Sequence, residues 1–383
     1  MGREIAAVFV AKTVRTFGYG ALGIVLPVYL GDLGLSAAGI GGAVTLMLAA
    51  SAALTWAVRR PAELWGTRAA LLGLVALSGL SAGLLLASRG PWLVVAAAML
   101  GNVAVGTGET GAFLTLEQVV VARAAPAARR TAILSVYNLL GYGAGALGAA
   151  AVGVLGGPEP LFVLFLGGAA VQAVAYRFLP AGGGSKRARA RQPLGSAPLI
   201  RRLAALFALD SFAGGFVLQS LVAYFLHARF GLDLAALGLT FFAAQALTAA
   251  SLLLAAPLAA RIGLLPTMVF SHLLSNVFLV AIAVAPTAPV AIGLLLARHL
   301  LSQMDVPTRQ AYVMAVVADH EREAAATTTN LARTLAQSVT PALTGWVMQS
   351  VALAAPFALG GGLKIVYDVL LFVTFRHVKL RRE

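Results

Sequence analysis

Apolar stretches of about 20 residues recur along the whole length of this 383-residue chain. Each stretch is long enough to cross a hydrocarbon core of roughly 30 Å as an α-helix, because a helix rises about 1.5 Å per residue. The composition agrees, since 60% of the residues are hydrophobic and only 11% are charged, against roughly 25% charged residues in globular proteins. We therefore expect a protein that crosses the membrane many times and leaves no room for a soluble catalytic domain.

Twelve predicted spans account for most of the chain. The spans are 5–30, 37–58, 68–88, 92–118, 131–155, 160–179, 202–227, 234–259, 263–285, 288–316, 325–350 and 354–375. The first span contains Arg15 near its middle and is followed by no small-residue cleavage pattern. We interpret it as a retained helix and not as a signal peptide.

The formal net charge of +14 is distributed unevenly along the chain. Lys and Arg cluster in alternate connections, at 59–68, 123–130, 186–202, 261 and 376–382, whereas the intervening connections carry few positive charges. The positive-inside rule assigns the basic connections to the cytoplasm. This predicts cytoplasmic termini, an even number of spans and insertion in the cell inner membrane, and it accounts for the basic charge without nucleic-acid binding.

The two halves of the chain resemble each other in sequence. TFGYGALGIVLPVYL in the first span aligns without gaps with SFAGGFVLQSLVAYF in the seventh, and this alignment pairs Arg15 with Asp210. A second match pairs 117–153 with 309–345, so that Glu117 aligns with Arg309. Duplicated six-helix halves are typical of secondary transporters, with the substrate site near the midplane between them.

The segment 181–198 is rich in Gly, Ser, Pro and basic residues and is predicted to be a flexible cytoplasmic linker. We therefore predict an N-terminal six-helix bundle over 1–180 and a C-terminal six-helix bundle over 199–383. The predicted fold class is an all-α membrane protein with twelve transmembrane helices.

With these features the chain resembles the major facilitator superfamily over essentially its full length. The family's loop G-x-L-A-D-R-x-G-R-R, between the second and third helices, is similar to 59–68, where Glu63 replaces the Asp. In family members this loop forms a charge cluster with the cytoplasmic end of helix 4 and helps to hold one state of the alternating-access cycle. The resemblance implies a conformational-switch set consisting of Glu63, Gly66, Arg68, Glu117, Arg261 and Gly263.

Two further motifs bear on the transport mechanism. The Arg of the family's helix 4 motif is absent, because Asn102 occupies its position, and this weakens the transfer of the proton-coupling role of that Arg. Helix 5 contains Gly141, Gly145 and Gly148, which resemble the family's antiporter motif with Ala146 in place of a Pro. Glycine faces also let helices approach closely, so both plain packing and an export signature remain open.

Ionisable residues inside the spans are the candidates for chemistry, because each costs roughly 2.5–3.5 kcal/mol or more in the bilayer. Arg15 and Asp210 occupy equivalent positions in helices 1 and 7, which line the central cavity in this family, and they are predicted either to face the substrate path or to form structural pairs. Glu109, in the middle of helix 4, is the first candidate for a proton carrier or else pairs with Arg298 or Arg333. The predicted proton-coupling residues are Glu109, Asp210 and Asp305, and the predicted substrate contacts are Arg15, Tyr19, Asn138, Tyr142, Gln219, Gln245, Arg298, Asn330, Arg333 and Tyr367.

Other polar residues inside the spans have spacings that favour structural roles. Asp305–Arg309 and Lys364–Asp368 are each spaced i, i+4, so that each pair is predicted to close within one helix face. His272 lies one turn before Asn276, and the two are predicted to make hydrogen bonds between helices.

Several kinds of chemistry are absent from the sequence. The chain contains no Cys, which excludes disulfides, thiolate metal sites and cysteine nucleophiles. We find no metal-ligand spacing, phosphate-binding loop or nucleophile constellation, and G-x-G elements inside apolar spans indicate packing. We therefore expect no enzyme activity, no metal and no cofactor.

The leading hypothesis is a proton-coupled exporter of small organic molecules that works by alternating access. Its expected partners are a small-molecule substrate, protons and the lipid bilayer, and it is expected to function as a monomer. The alternative is a proton-coupled importer of an anionic nutrient held by Arg15, Arg298 or Arg333. A third hypothesis is a lipid flippase or a non-transporting receptor on the same fold. The mid-membrane charges of both signs nearly balance, so the sequence leaves the three open.

Overall fold

A computed structural model of the chain describes residues 2–103, 111–124, 130–181, 196–317 and 321–378. Within these ranges the regular structure is helical and no strand is present, as expected where lipid offers the backbone no hydrogen bonds and helices satisfy it internally. The helices are α1 (Arg3–Asp32), α2 (Ala37–Ala57), α3 (Arg59–Trp65), α4 (Thr67–Ala87), α5 (Pro91–Leu100), α6 (Ala112–Ala124), α7 (Arg130–Leu155), α8 (Pro158–Tyr176), α9 (Ala197–Gly215), α10 (Gln219–Phe230), α11 (Leu234–Ile262), α12 (Leu264–Ala283), α13 (Ala288–Ser302), α14 (Asp305–Val316), α15 (Arg322–Ser350) and α16 (Ala355–Phe375).

Helices lie at every one of the twelve predicted spans. In the described part of the chain, nine helical segments are long and apolar enough to cross a membrane, and α5 and part of α6 are shorter apolar helices. The predicted all-α, multi-pass architecture is confirmed. The number of twelve spans and the cytoplasmic position of the termini stay predictions.

Three predicted spans are interrupted, which the hydropathy pattern did not indicate. In the span 92–118, α5 ends at Leu100, residues 101–103 are not helical and α6 begins at Ala112. The span 202–227 divides into α9 and α10 at residues 216–218, directly after the adjacent Gly214 and Gly215, and glycine is a poor helix former. The span 288–316 divides into α13 and α14 at residues 303–304. Pro307 follows this break and has no N–H to donate to a carbonyl four residues earlier, so it disfavours a continuous helix.

The chain divides into two compact units. The first consists of Met1–Ala188 and Gln219–Gln245, and the second of Arg189–Leu218 and Ala246–Glu383. In the first unit, α1 packs against α7, α8 and α10, and in the second α9 packs against α15 and α16. The predicted bundles 1–180 and 199–383 describe sequence halves and remain a prediction, and most of the predicted linker lies outside the described residues.

Glycines bring α1 and α7 into direct backbone contact. A Cβ placed on Gly20 would overlap the carbonyl oxygen of Gly145, and a Cβ placed on Gly148 would overlap that of Phe17. Small residues at such a crossing are the usual means of close helix packing in membranes. The antiporter-like glycines Gly141, Gly145 and Gly148 lie at this contact, and the export signature stays a prediction.

We expect Gly148→Ala to lower the thermal stability of the protein. The added methyl group has no space against the backbone of Phe17, and overpacking of this kind typically costs about 1–3 kcal/mol. The melting temperature of the purified protein in detergent, followed by intrinsic fluorescence, measures the effect.

Gly143→Ala is the matched control, because Gly143 lies on the same helix and a methyl group added to it would have nothing within 4 Å. Alanine is also the better helix former by roughly 1 kcal/mol, so the control is expected to melt at the same or a higher temperature. Equal losses in the two variants would contradict the close contact between α1 and α7.

Candidate functional site

A closed ion pair lies in the core of the first unit. Arg15 on α1 and Glu117 on α6 are 1% and 0% exposed. The Arg15 guanidinium approaches both carboxylate oxygens of Glu117, with Nη2 2.5 Å from Oε2 and Nη1 3.1 Å from Oε1. Tyr137 donates a 2.6 Å hydrogen bond to Oε2, and Tyr176 donates one of 2.6 Å to Oε1. Each oxygen thus accepts two bonds, which fills the usual capacity of a carboxylate.

Two further side chains complete this arrangement. The Arg15 guanidinium lies over the ring of Phe113 at 4.5 Å from its centroid, and Arg15 Nη1 lies 3.5 Å from Gln172 Oε1. We call the group the first cluster; its members are Arg15, Phe113, Glu117, Tyr137, Gln172 and Tyr176.

The family resemblance implied that Glu117 forms a charge cluster with the loop at 59–68, and this prediction is wrong. Glu117 is fully buried and pairs with Arg15, whereas Glu63 on α3 and Arg261 are exposed. A bidentate arginine on a neighbouring helix supplies the counter-charge that a fully buried carboxylate needs. Arg68 donates instead to the carbonyl oxygen of Leu179, at 3.4 Å.

The loop glycines of the predicted switch set have a clear backbone role. Gly66 and Gly263 precede α4 and α12 with φ, ψ of 89°, 158° and 93°, 163°, a conformation that other residues rarely adopt. The same turn therefore begins the third helix of each sequence half. Whether these loops switch conformation stays a prediction.

A larger group of charges lies in the core of the second unit, centred on Asp210 of α9. Lys364 donates a 2.5 Å hydrogen bond to Asp210 Oδ1. Arg309 Nη1 and Arg333 Nη1 lie 3.6 Å and 3.9 Å from Asp210 Oδ2. Arg309 also lies 2.6 Å from Asp305. One carboxylate is therefore shared among three cations from three different helices.

A histidine links Asp210 to a second carboxylate. His272 Nδ1 lies 2.8 Å from Asp368 Oδ1, and His272 Nε2 lies 3.7 Å from Asp210 Oδ1. Asn276 donates a 2.9 Å hydrogen bond to the other oxygen of Asp368. The ring of Tyr367 meets the imidazole edge-on, with centroids 5.8 Å apart.

Arg298 on α13 completes the group, since Asp210 and Asp305 both attract it electrostatically. We call the group the second cluster; its members are Asp210, His272, Asn276, Arg298, Asp305, Arg309, Arg333, Lys364, Tyr367 and Asp368.

The second cluster has more positive groups than the carboxylates in it can pair. Its three carboxylates, those of residues 210, 305 and 368, meet four basic side chains, those of residues 298, 309, 333 and 364. Within the described ranges, Arg298 Nε and Arg333 Nη1 are buried without a hydrogen-bond acceptor. In the first cluster Glu117 accepts four bonds, and the buried Lys12 lies over the ring of Tyr137 with its Nζ 4.5 Å from the centroid.

The two clusters occupy equivalent positions of the sequence repeat. Arg15 aligns with Asp210 and Glu117 aligns with Arg309, so the pair of the first cluster recurs in the second with its charges exchanged. Arg15 and Glu117 are in bidentate contact, whereas Asp210 and Arg309 stand 3.6 Å apart and each has other partners.

The alignment of Glu117 with Arg309 continues without a gap into α8 and α16. It pairs Gln172 with Lys364 and Tyr176 with Asp368, and it matches Phe165 with Phe357 and Gly168 with Gly360. A neutral amide and a neutral phenol of the first cluster are therefore replaced by a cation and a carboxylate in the second. The equivalent contact between helices is therefore made by charged side chains in the second cluster.

The structure brings together five of the thirteen predicted proton-coupling and substrate residues. Asp210, Asp305, Arg298, Arg333 and Tyr367 all belong to the second cluster. The other predicted contacts are not members of this cluster: Arg15 belongs to the first cluster, Tyr19 packs on the ring of Phe165, Gln219 and Gln245 are buried in the first unit, Tyr142 is half-buried, and Asn138 and Asn330 are exposed. Glu109 lies outside the described residues.

Helical spacing predicted one polar pair correctly and another wrongly. The Asp305–Arg309 pair is confirmed, at 2.6 Å, but the Lys364–Asp368 pair is wrong, because Lys364 binds Asp210 and Asp368 binds His272. The predicted interhelical bonds of His272 and Asn276 are confirmed, since both contact Asp368 on α16. Lys364, Gln172 and the two tyrosines that bind Glu117 were missed as partners, although the repeat, extended into its last helix, aligns Lys364 with Gln172.

Comparison with known proteins identifies the family. The profile of the Major Facilitator Superfamily matches residues 8–298. The chain belongs to this superfamily. It is therefore a member of a family of membrane transporters, as its helical architecture and buried charges indicate.

Other relatives agree with the family and leave the substrate open. An uncharacterized membrane protein of Saccharomyces cerevisiae is 23% identical over 431 aligned positions, which cover 100% of this chain and 96% of that protein. The nucleoside transporter NupG has the same fold, with a TM-score of 0.73 at 14% identity over 98% of this chain and 100% of that one. The inward-open xylose transporter XylE of E. coli gives 0.72 at 14% identity over 96% of each chain. Nucleosides and xylose differ in chemistry, so the shared fold assigns no substrate.

We expect Glu117→Gln to destabilise the protein by about 3–5 kcal/mol, because it leaves the Arg15 guanidinium buried without a counter-charge. Glu63→Gln removes an exposed carboxylate and is expected to change the stability by less than about 0.5 kcal/mol. Thermal unfolding of the two purified variants provides the comparison. Similar melting temperatures would show that the first cluster does not hold the first unit together.

Proposed function

We propose that the protein is a proton-coupled secondary transporter that carries a small organic anion across the cytoplasmic membrane, and that the second cluster holds the anion. The observation that carries this proposal is the surplus of positive charge in that cluster. Arg298 Nε and Arg333 Nη1 are buried N–H groups without an acceptor among the described residues. Leaving a buried charged donor unbonded costs more than about 1–3 kcal/mol, and a carboxylate or similar group would supply the missing acceptors.

The helix breaks support this location. The break at 216–218 follows α9, which carries Asp210, and the break at 303–304 directly precedes Asp305 at the start of α14. Substrate and ion sites of secondary transporters are commonly built where membrane helices are discontinuous, because backbone groups freed from the helix become available there. Asp305 thus directly follows irregular backbone, and Asp210 lies on the helix that ends at the other break.

The contrast between the clusters also favours the second one as the substrate site. Arg15 was a predicted anion contact, but Glu117, Gln172 and Tyr176 already occupy its guanidinium. Displacing them would leave Glu117 buried without its counter-charge, at a cost of several kcal/mol. Arg333 is different, since its side chain is 27% exposed and its nearest carboxylate is also paired with Lys364.

The charge surplus favours import with protons over export. A proton taken up by the cluster adds positive charge, which strengthens the attraction for an anion, so the two ligands are expected to travel together. The glycines that suggested export also lie at the contact between α1 and α7, so close packing is a sufficient reason for them. We therefore place proton–anion symport, the direction of the nutrient importer, ahead of efflux.

Transport by the purified protein in proteoliposomes tests the proposal. With an inward proton gradient, we expect accumulation of at least one member of a panel of radiolabelled anions that contains succinate, citrate, glutamate, gluconate and p-aminohippurate. Xylose, uridine and tetraphenylphosphonium represent neutral and cationic solutes. Accumulation only of tetraphenylphosphonium, or only of the neutral solutes, would refute the anion assignment.

We expect Arg333→Gln and Arg298→Gln each to raise the KM for the accumulated anion roughly tenfold or more, because a hydrogen bond to a charged group is worth about 1.5–3 kcal/mol. The matched control is Arg177→Gln, since Arg177 is exposed at the end of α8. Initial rates of uptake against anion concentration provide the KM values. Unchanged KM values in both cluster variants would remove these arginines from the substrate site.

A further inference from the structure

We propose that His272, held by Asp368, is the proton-binding site of the transport cycle. The inference rests on the proposed function for its meaning in transport, but proton binding itself can be measured without any substrate. It changes the role expected for His272 from a structural link between helices to the group whose charge changes during transport.

The geometry around the imidazole favours a proton that can be bound and released. Both ring nitrogens of His272 face carboxylates, with Asp368 Oδ1 2.8 Å from Nδ1 and Asp210 Oδ1 3.7 Å from Nε2. A neutral imidazole has one N–H, so it can donate toward only one of these carboxylates, whereas the imidazolium donates toward both. Histidine is also the side chain whose unperturbed charge change falls between pH 5 and 8. The proton that converts the neutral imidazole to the imidazolium would therefore be bound between two carboxylates in an enclosed site.

Asn276 supports this arrangement from the same helix as His272. Its amide nitrogen donates to Asp368 Oδ2 at 2.9 Å and lies 3.1 Å from His272 Nδ1. Asp368 is 0% exposed, so these contacts fix its orientation toward the imidazole. A carboxylate held in this way positions a histidine ring and stabilises its charged form.

Charged groups from every neighbouring helix of the second cluster bear on this histidine. The acids are Asp210 on α9, Asp305 on α14 and Asp368 on α16, and the bases are Arg298 on α13, Arg309 on α14, Arg333 on α15 and Lys364 on α16, with Tyr367 against the ring. Lys364 and His272 approach the same oxygen of Asp210. A proton on His272 therefore competes with Lys364 for Asp210 and repels the arginines, and an incoming anion would relieve that repulsion.

The sequence repeat shows that the fold does not require these residues. Aligning Gly66 with Gly263 places Val75 at the position of His272 and Gly79 at that of Asn276. Tyr176 stands at the position of Asp368. The first half thus builds the same helix contacts with no histidine and no second carboxylate, so the pair in the second half is an addition that packing alone does not explain.

The test uses the full-length protein in proteoliposomes adsorbed on a solid-supported membrane, with a rapid pH jump and no substrate. We expect the wild type to give a transient charge displacement as protons enter the site. His272→Asn keeps an amide donor near the position of Nδ1 but cannot bind the proton, and its displacement is expected to fall to the level of protein-free liposomes.

His299→Asn is the matched control, because His299 is also buried, at 6% exposure against 4% for His272, and its Nδ1 contacts the carbonyl oxygen of Leu295 in its own helix. This variant is expected to keep the wild-type displacement. Full displacement in His272→Asn, loss in both histidine variants, or no displacement in the wild type would each overturn the inference.

Asp368→Asn provides a second readout that does not depend on the folding of His272→Asn. Removing the acid next to the imidazole makes its charged form less favourable, so the midpoint of the displacement is expected to move to lower pH by about one unit or more. An unchanged midpoint would exclude Asp368 as the positioning residue and overturn the pairing. Proton displacement without uptake of any panel anion would instead contradict the proposed substrate class and leave the proton site supported.

Discussion

An ionised side chain inside a membrane protein is stable only where other buried groups compensate its charge, and this constraint shapes both halves of the chain. In the first half Glu117 accepts four hydrogen bonds and pairs with Arg15 in a bidentate contact, and the buried Lys12 lies over the ring of Tyr137. In the second half one carboxylate, Asp210, lies within ion-pair distance of Lys364, Arg309, Arg333 and His272. A charge gained or lost by any one of these five side chains changes the electrostatic energy of the other four. The first cluster is therefore suited to holding helices together, and the second is suited to responding to a ligand.

The internal repeat distinguishes the helix contacts that both halves share from the charged residues that only the second half has. A contact between the first, fourth and sixth helices of each half is present in both, and it forms in the first half with one ion pair, one amide and phenolic hydroxyls. The second half places Lys364 and Asp368 at the corresponding positions and His272 where the first half has Val75. Buried ions are often replaceable by apolar groups without loss of stability. Their concentration in one half is therefore better explained by a ligand than by packing.

The sequence predicted the features that depend on local composition better than the contacts between helices that are distant in sequence. The spans were predictable, because apolar runs of this length have few alternatives. The breaks at 216–218 and 303–304 were not, since a few residues with Gly or Pro barely change the hydropathy of a span. The i, i+4 spacing identified Asp305–Arg309 correctly, but it failed for Lys364 because Asp210, on another helix, lies nearer. The family loop motif likewise could not reveal that Glu117 points into the core toward Arg15.

The charge count of the second cluster indicates why proton and anion would move together. With a neutral His272, four basic groups and three carboxylates leave one positive charge in surplus. A proton alone raises that surplus and a monovalent anion alone cancels it, whereas both together restore the charge of the empty cluster. Since binding energies are linked reciprocally, a proton that strengthens anion binding is itself held more tightly once the anion is present. The cluster then has the same net charge when it is empty and when it holds both the proton and the anion. With only one of the two bound, its net charge differs by one, and a change of charge is costly in a low-dielectric core. If the conformational change tolerates only that one net charge, the result is obligatory symport.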